Sequence, residues 1–218
     1  MKKTFLGIII ILPASSCYGP SGNDNSHLRP ADSTSLTQKG MILFSFEDSN
    51  GVGFKDGSGR VMIAAKYLHS FTDTFSHEIA FVVDPTEGPI AIDRNGKKRL
   101  NPFIYDNGPD YIVEGLFRFV EKKKIGFADA DGKIIIPANY EFVTEFKKGR
   151  ACFGNGFTIK REGELDLMKG GKWGFINTKG DTVIQQKYDE MVYFDEGTCV
   201  VKEKGKKITI DKDGKEIK

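Results

Sequence analysis

From residue 41 to residue 218 the apolar positions fall in short alternating runs, broken every few residues by glycine or by Asp and Asn. Phe127, the segment Asp129-Ala130-Asp131-Gly132 and then Ile134-Ile135-Ile136 show the pattern in its simplest form. A period of two on either side of a tight turn predicts a β-hairpin whose glycine takes positive φ. Pro137 ends that strand, Tyr140 to Phe146 begins another extended run, and Gly149 turns the chain into Arg150-Ala151-Cys152-Phe153. The same order returns as Phe194-Asp195-Glu196-Gly197-Thr198-Cys199-Val200-Val201. No stretch carries a helical period of any length, so the predicted fold is all-β.

Aligned on glycine, the chain repeats. Lys172-Trp173-Gly174-Phe175-Ile176-Asn177 is followed by Gly180, Val183-Ile184 and Tyr188. Ile125-Gly126-Phe127 is followed by Gly132, Ile135-Ile136 and Tyr140, and Val52-Gly53-Phe54 by Gly59, Met62-Ile63 and Tyr67. In all three, the second glycine stands six residues and the tyrosine fourteen residues after the first glycine. A fourth copy, Ile90-Ala91-Ile92-Asp93 with Gly96, Pro102 and Tyr105, lacks the first glycine and is one residue longer. A fifth, Ile208-Thr209-Ile210-Asp211 with Gly214, runs only through its first hairpin. The copies start near 53, 90, 126, 174 and 208, at intervals of 37, 36, 48 and 34 residues. The long interval fits an insert of about twelve residues within 154–171.

Periods of this length mark repeat architectures. An elongated, solenoid-like array of β-hairpin repeats needs only neighbour contacts and tolerates uneven copies, which favours it here. A β-propeller with four-stranded blades fits the unit size as well and stays open as the alternative. Phe54, Phe127 and Phe175 recur at one phase with Tyr67, Tyr140 and Tyr188, which predicts a repeating aromatic core rather than a row of exposed rings.

The first forty residues read differently. Lys2 and Lys3, the apolar run Phe5 to Leu12, Pro13 and the small residues Ala14, Ser15 and Ser16 have the three-part layout of a secretory signal peptide, assigned to residues 1–16. With Cys17 next, the segment resembles a bacterial lipoprotein signal, and that resemblance implies lipidation of Cys17 and anchoring in the cell envelope. Ala14 stands where that pattern has Leu, and cleavage after Ser16 without lipidation would leave a soluble secreted or periplasmic protein. Residues 17–40 are rich in Ser, Gly, Asn, Asp and Pro and are read as a flexible tether with a reach on the order of 25 Å.

Composition narrows the function. The 218 residues carry 32 Lys+Arg against 30 Asp+Glu, and removal of residues 1–16 takes two lysines and no acid, leaving the charge balanced. Such a chain is not a basic nucleic-acid binder. Asp129-Ala130-Asp131-Gly132, Asp211-Lys212-Asp213-Gly214 and Asp93-Arg94-Asn95-Gly96 resemble the opening of calcium loops. Six residues after Gly132 and Gly96, where such a loop needs glutamate, stand Ala138 and Pro102, so these are read as hairpin turns. His69 and His77 have no metal-ligand spacing, and no nucleophile motif occurs. No metal, cofactor or catalytic residue is assigned, and the chain is read as non-catalytic. Cys152 lies three residues after Gly149 but Cys199 two after Gly197, so in equivalent strands their thiols face opposite sides and no disulfide is expected.

With Lys172 to Asn177, Tyr188-Asp189 and Phe194-Asp195-Glu196-Gly197 in view, residues 41–218 resemble the WG-repeat family. The resemblance is closest in the copy at Trp173-Gly174; Val52 and Ile125 replace the Trp in two others, and Ile90 and Ile208 replace the glycine in the last two. It implies bacterial β-hairpin repeats, often exported, without a shared enzymatic activity or ligand. The expected function is that of a membrane-tethered binding module for an envelope protein, with Arg161, Glu162 and Glu164 of the insert as candidate contacts. The alternative is a cell-wall or glycan binder, for which Trp173 and Tyr188 are the candidate contacts.

Overall fold

The computed structural model describes residues 40–162 and 165–217. The leader, Cys17, the tether up to residue 39 and Glu164 lie outside the described residues.

The first unit is a meander of β1 (Leu43–Asp48), β2 (Gly51–Asp56) and β3 (Val61–Tyr67), followed by the short β4 (His69–Ser70) and β5 (Thr74–Phe75). The second consists of β6 (Ile79–Asp84), β7 (Gly88–Asp93) and β8 (Lys98–Pro102), with β9 (Ile104–Tyr105) and β10 (Gly108–Pro109) after it. The third is β11 (Leu116–Glu121), β12 (Lys124–Asp129) and β13 (Ile134–Tyr140), closed by β14 (Phe142–Val143). The fourth has two long strands, β15 (Ala151–Glu162) and β16 (Leu165–Ile176), then β17 (Thr182–Tyr188). The fifth is β18 (Thr198–Glu203), β19 (Lys206–Asp211) and β20 (Glu216–Ile217). Among the described residues all strand pairs are antiparallel, and no sheet closes into a barrel. The all-β repeat array read from the sequence is the observed fold.

One turn recurs in every unit. Asp56, Asp93, Asp129, Asn177 and Asp211 each accept, on Oδ1, the backbone N–H two residues on and the backbone N–H four residues on. Each such bond is 2.9–3.0 Å long. These Asx turns give the Asp-x-x-Gly segments a structural role: the acidic oxygen organises the hairpin backbone.

The first repeat glycine has its own reason. A Cβ at Gly53, Gly126 or Gly174 would stand 2.5 Å from the carbonyl oxygen of Ile63, Ile136 or Ile184 on the adjacent strand. The close approach sits where the register between the second and third strands shifts. The turn glycine has another task, because Gly96, Gly180 and Gly214 each rest on the isoleucine of the preceding unit, Ile63, Ile136 and Ile184. At the first of these joints Tyr67 also donates its hydroxyl to the carbonyl of Gly96 at 3.1 Å.

The joint between the second and third units departs from this rule. There β8 pairs directly with β11, through Asn101↔Val120 and Pro102↔Phe119, and the two meanders merge in one seven-stranded sheet. Gly132 accordingly rests on Ile79 of the first strand of the second unit instead of on its third strand. Three apolar cores follow the chain: one joins the first two units, one the second and third, and one the third to the fifth. None of them contains residues of both the first and the fifth unit. Phe54, Phe127, Phe175, Tyr67 and Tyr188 are buried as the repeat phase requires, and Tyr140 is half-buried. Tyr105 breaks the alignment made from sequence, since it lies beyond the third strand of its unit, on β9, and is exposed.

Two arginines are buried among the described residues. Arg118 binds Asp110 through Nε to Oδ2 and Nη2 to Oδ1, both at 2.8 Å, and donates Nη1 to the carbonyl of Val143 at 3.1 Å. Burial opposes the charge, but hydrogen bonds and charge from Asp110, with Glu145 nearby, outweigh it and hold the guanidinium above its ordinary pKa. Arg94 donates to the carbonyls of Met41 and His77, fixing the second-unit turn to the first unit.

Cys152 and Cys199 are free and buried in the same core. Burial pushes both thiols up to about 12 from 9.0, and burial with the charges of Asp84 and Asp93 pushes Tyr67 up to about 12 from 10.0. A group raised in this way contributes stability fully below its unfolded pKa and loses it as pH rises through the folded one. Stability is therefore expected to fall across the window from pH 9 to 12. Urea melts taken through that range check this, and an unchanged midpoint at its upper end would contradict it.

Candidate functional site

The insert is not a loop. It lengthens β15 and β16 to 12 residues each, so that the first hairpin of the fourth unit projects as a two-stranded arm. Register runs from Ala151↔Ile176 to Asn155↔Lys172, resumes at Phe157↔Gly170 and continues to Glu162↔Leu165. At the interruption Gly156 and Gly171 face each other with φ of 70° and 76°, a backbone that glycine adopts without strain.

Aromatic rings brace the root of the arm. Trp173 lies over Gly154, whose added Cβ would stand 2.4 Å from the indole. Phe157 stacks on that indole at 5.7 Å and 18°, and Phe142 meets both rings edge-on. Trp173 is 2% exposed and Tyr188 0%. Neither of these sequence-derived candidate contacts reaches the surface: the repeat places one under the arm and the other in the core. The Tyr188 hydroxyl is buried with no hydrogen-bond partner among the described residues.

The other candidates fare differently. Arg161 and Glu162 are exposed at the distal end of the arm, and Glu162 receives Lys160 at 3.3 Å and, from the opposite strand, Lys169 at 3.9 Å. Glu164 lies outside the described residues. The apolar component of the arm was not singled out from sequence. Ile159 is 46% exposed and pairs with Met168, which packs back on the core together with Phe157. Strand alternation puts Phe157, Ile159 and Met168 on one face, a signal visible in the sequence only once the two halves of the insert are known to pair.

Both outer edges of the arm are unpaired among the described residues. β14 pairs with β15 only at Phe142↔Gly154 and Val143↔Phe153, and β17 joins β16 only from Trp173 onward. Residues 157–162 and 165–170 thus present two rows of backbone donors and acceptors. The histidines stand apart from this region. His77 Nδ1 is 3.3 Å from Asp131 on open surface, and His69 meets Phe71 edge-on. No group of three or more His, Cys, Asp or Glu side chains with metal-binding geometry occurs among the described residues.

Tandem three-stranded meanders, each seated on the next, with one hairpin drawn out into an arm, define a β-repeat protein. The WG containing repeat matches residues 125–156 and 173–206, and the chain carries WG repeats in its third to fifth units. The first match runs from the second strand of the third unit into the first strand of the fourth. The second runs from the second strand of the fourth unit to the start of the second strand of the fifth, and the outer part of the arm falls in the interval between them. No curated protein matches the chain. The crystal structure of the computationally designed Ika8 protein aligns with 81% of this chain and 57% of its own, at 12% identity and a TM-score of 0.34. The chain thus spans little more than half the length of that designed protein.

Proposed function

We propose that the protein is an exported envelope protein, lipid-anchored at Cys17, whose β-repeat array is a non-catalytic module that binds a protein partner through the arm. The leader-like residues 1–16 and the polar segment 17–40 support export and tethering. One observation carries the partner: the arm, outside the matched repeats, exposes two unpaired strand edges beside an apolar face. An added strand gains main-chain hydrogen bonds along such an edge and side-chain selectivity from the face. The units join through their turn glycines and cores, to which the arm adds Phe157 and Met168.

The test replaces residues 159–168 with Asn-Gly, which joins Thr158 to Lys169 by a tight hairpin turn and keeps Phe157 on Trp173. A photo-crosslinking residue is placed at Lys160, or at Lys66 as a control, in cells making the full chain. A discrete protein adduct from position 160, absent at 66 and identified by mass, is expected. Position 160 is removed by the Asn-Gly replacement, so a second probe at Thr158 should lose its adduct in the shortened chain. No adduct from the arm, or an adduct at 158 that survives the shortening, overturns the partner reading. In the same cells Cys17→Ser should move the chain out of the membrane fraction, and unchanged fractionation counts against the anchor.

A further inference from the structure

The irregular joint between the second and third units makes a second surface feature. After their third strand the first and third units carry short strands that pair with a meander, β4 with β6, β5 with β1 and β14 with β15. Residues 103–115 instead carry the small β9–β10 hairpin, paired with itself and turned by Asp106 and Asn107 with φ of 49° and 69°. Asp and Asn are among the residues that accept such a turn. This hairpin, with Phe71 and Phe81 across from it, encloses an open cleft of about 410 Å³. That volume is within the span of about 300–1,000 Å³ common to small-ligand sites.

The rings of this cleft behave unlike those of the repeats. Phe71 is 40% exposed, Tyr105 40% and Tyr111 67%, whereas the recurrent phenylalanines are buried. The two phenylalanines of the cleft are packed against neighbours. Phe71 is held edge-on by His69 at 4.9 Å and lies over Gly108, and Phe81 is held edge-on by Phe117 at 5.1 Å. Below the hairpin, Asp110 donates its N–H to the carbonyl of Phe103 at 2.8 Å, and its carboxylate is held by Arg118. The remaining polar groups are uncommitted: the Asp106 and Asn107 side chains are exposed and make no hydrogen bond among the described residues. The lining contains two carboxylates, one of them neutralised by Arg118, and no Lys or Arg.

We propose that this cleft binds a neutral sugar chain. The C–H faces of pyranose rings would cover Phe71, Tyr105 and Tyr111, removing apolar surface from water while the phenol hydroxyls keep polar contacts. Sugar hydroxyls would donate to the Asp106 carboxylate and exchange hydrogen bonds with the Asn107 carboxamide, which fixes orientation. The open carboxylate without a cation disfavours acidic sugars and phosphorylated ligands. The site shares no residue with the arm and stands whether or not the arm captures a protein.

The test titrates the full chain with soluble tetramers of β-1,4-linked N-acetylglucosamine, β-1,4-linked glucose and α-1,4-linked glucose, read by calorimetry and by tyrosine fluorescence. Saturable, salt-insensitive binding of at least one is expected. Tyr111→Ala and Tyr105→Ala, both at exposed positions, should each weaken it about tenfold, equivalent to about 1.4 kcal/mol. Tyr111→Phe keeps the ring and should retain most of the affinity. Asn107→Gly preserves the turn and removes the amide, so it should weaken binding with an unchanged melting temperature. The chain shortened in its arm should bind as the full chain does. No binding of any tetramer at millimolar concentration overturns the proposal. So does binding that survives both tyrosine substitutions, or a cationic peptide binding where the sugars do not.

Discussion

Arg118→Ala is expected to cost about 3–5 kcal/mol, because it leaves the Asp110 carboxylate charged, buried and without its partner. Two hydrogen bonds of 2.8 Å to Asp110, one to Val143 and the guanidinium stacked 4.2 Å from the Phe103 ring centre would be lost together. The pair sits at the joint where the third strand of one meander pairs with the first strand of the next, and Val143 belongs to the closing strand of the third unit. Loss of Arg118 should therefore loosen the β9–β10 hairpin and the contact between units at the same time. The double variant Asp110→Leu/Arg118→Met removes both charges and should be much closer to the parent, since apolar replacement of an entire buried pair is often neutral. Urea denaturation of Asp110→Leu, Arg118→Met and the double variant gives the coupling. A loss below about 1 kcal/mol for Arg118→Ala would show that the pair behaves like an exposed ion pair instead.

Gly174→Ala is the second large effect, expected at about 1–3 kcal/mol from overpacking. The new methyl would stand 2.5 Å from the Ile184 carbonyl oxygen and 2.9 Å from backbone atoms of Gln185 and Gln186, so hydrogen-bonded strand rather than a flexible side chain would have to move. Gly126→Ala should behave alike, against Ile136. Gly57→Ala is the control: no atom lies within 4 Å of its added Cβ, and its backbone is not left-handed. It should be neutral, or stabilising by about 0.4–1 kcal/mol through the unfolded chain. Equal midpoints for Gly174→Ala and Gly57→Ala would refute the close-approach account of the repeat glycine.

The repeat was legible because its determinants are local. An Asx turn needs only Asp or Asn with glycine three residues on, as at Asp129 and Gly132, and a strand needs only alternation. The insert was recognised by its interruption of the period, yet its form was not, because Phe157 and Met168 become one face only after the two halves pair in register. The glycan alternative needs Trp173 and Tyr188 at the surface, whereas the repeat phase puts Tyr188 in the core, and the burial of both follows from what covers them: Phe157, Gly154 and the core of the fourth and fifth units. The sequence repeat aligns Tyr105 with the core tyrosines, but direct pairing of β8 with β11 displaces it onto a separate hairpin at the surface.

The sequence by itself determined the strands, the five turns, the unit length and the place where the period is interrupted, because each depends on residues within one or two turns of one another. Only the tertiary structure decided which face of each strand is covered, that two meanders share one sheet, that Arg118 closes on Asp110, and that the insert is an arm with free edges. Those outcomes are set by contacts between neighbouring units. Local periodicity assigns a side chain to a face of its strand but carries no information about what will lie against that face.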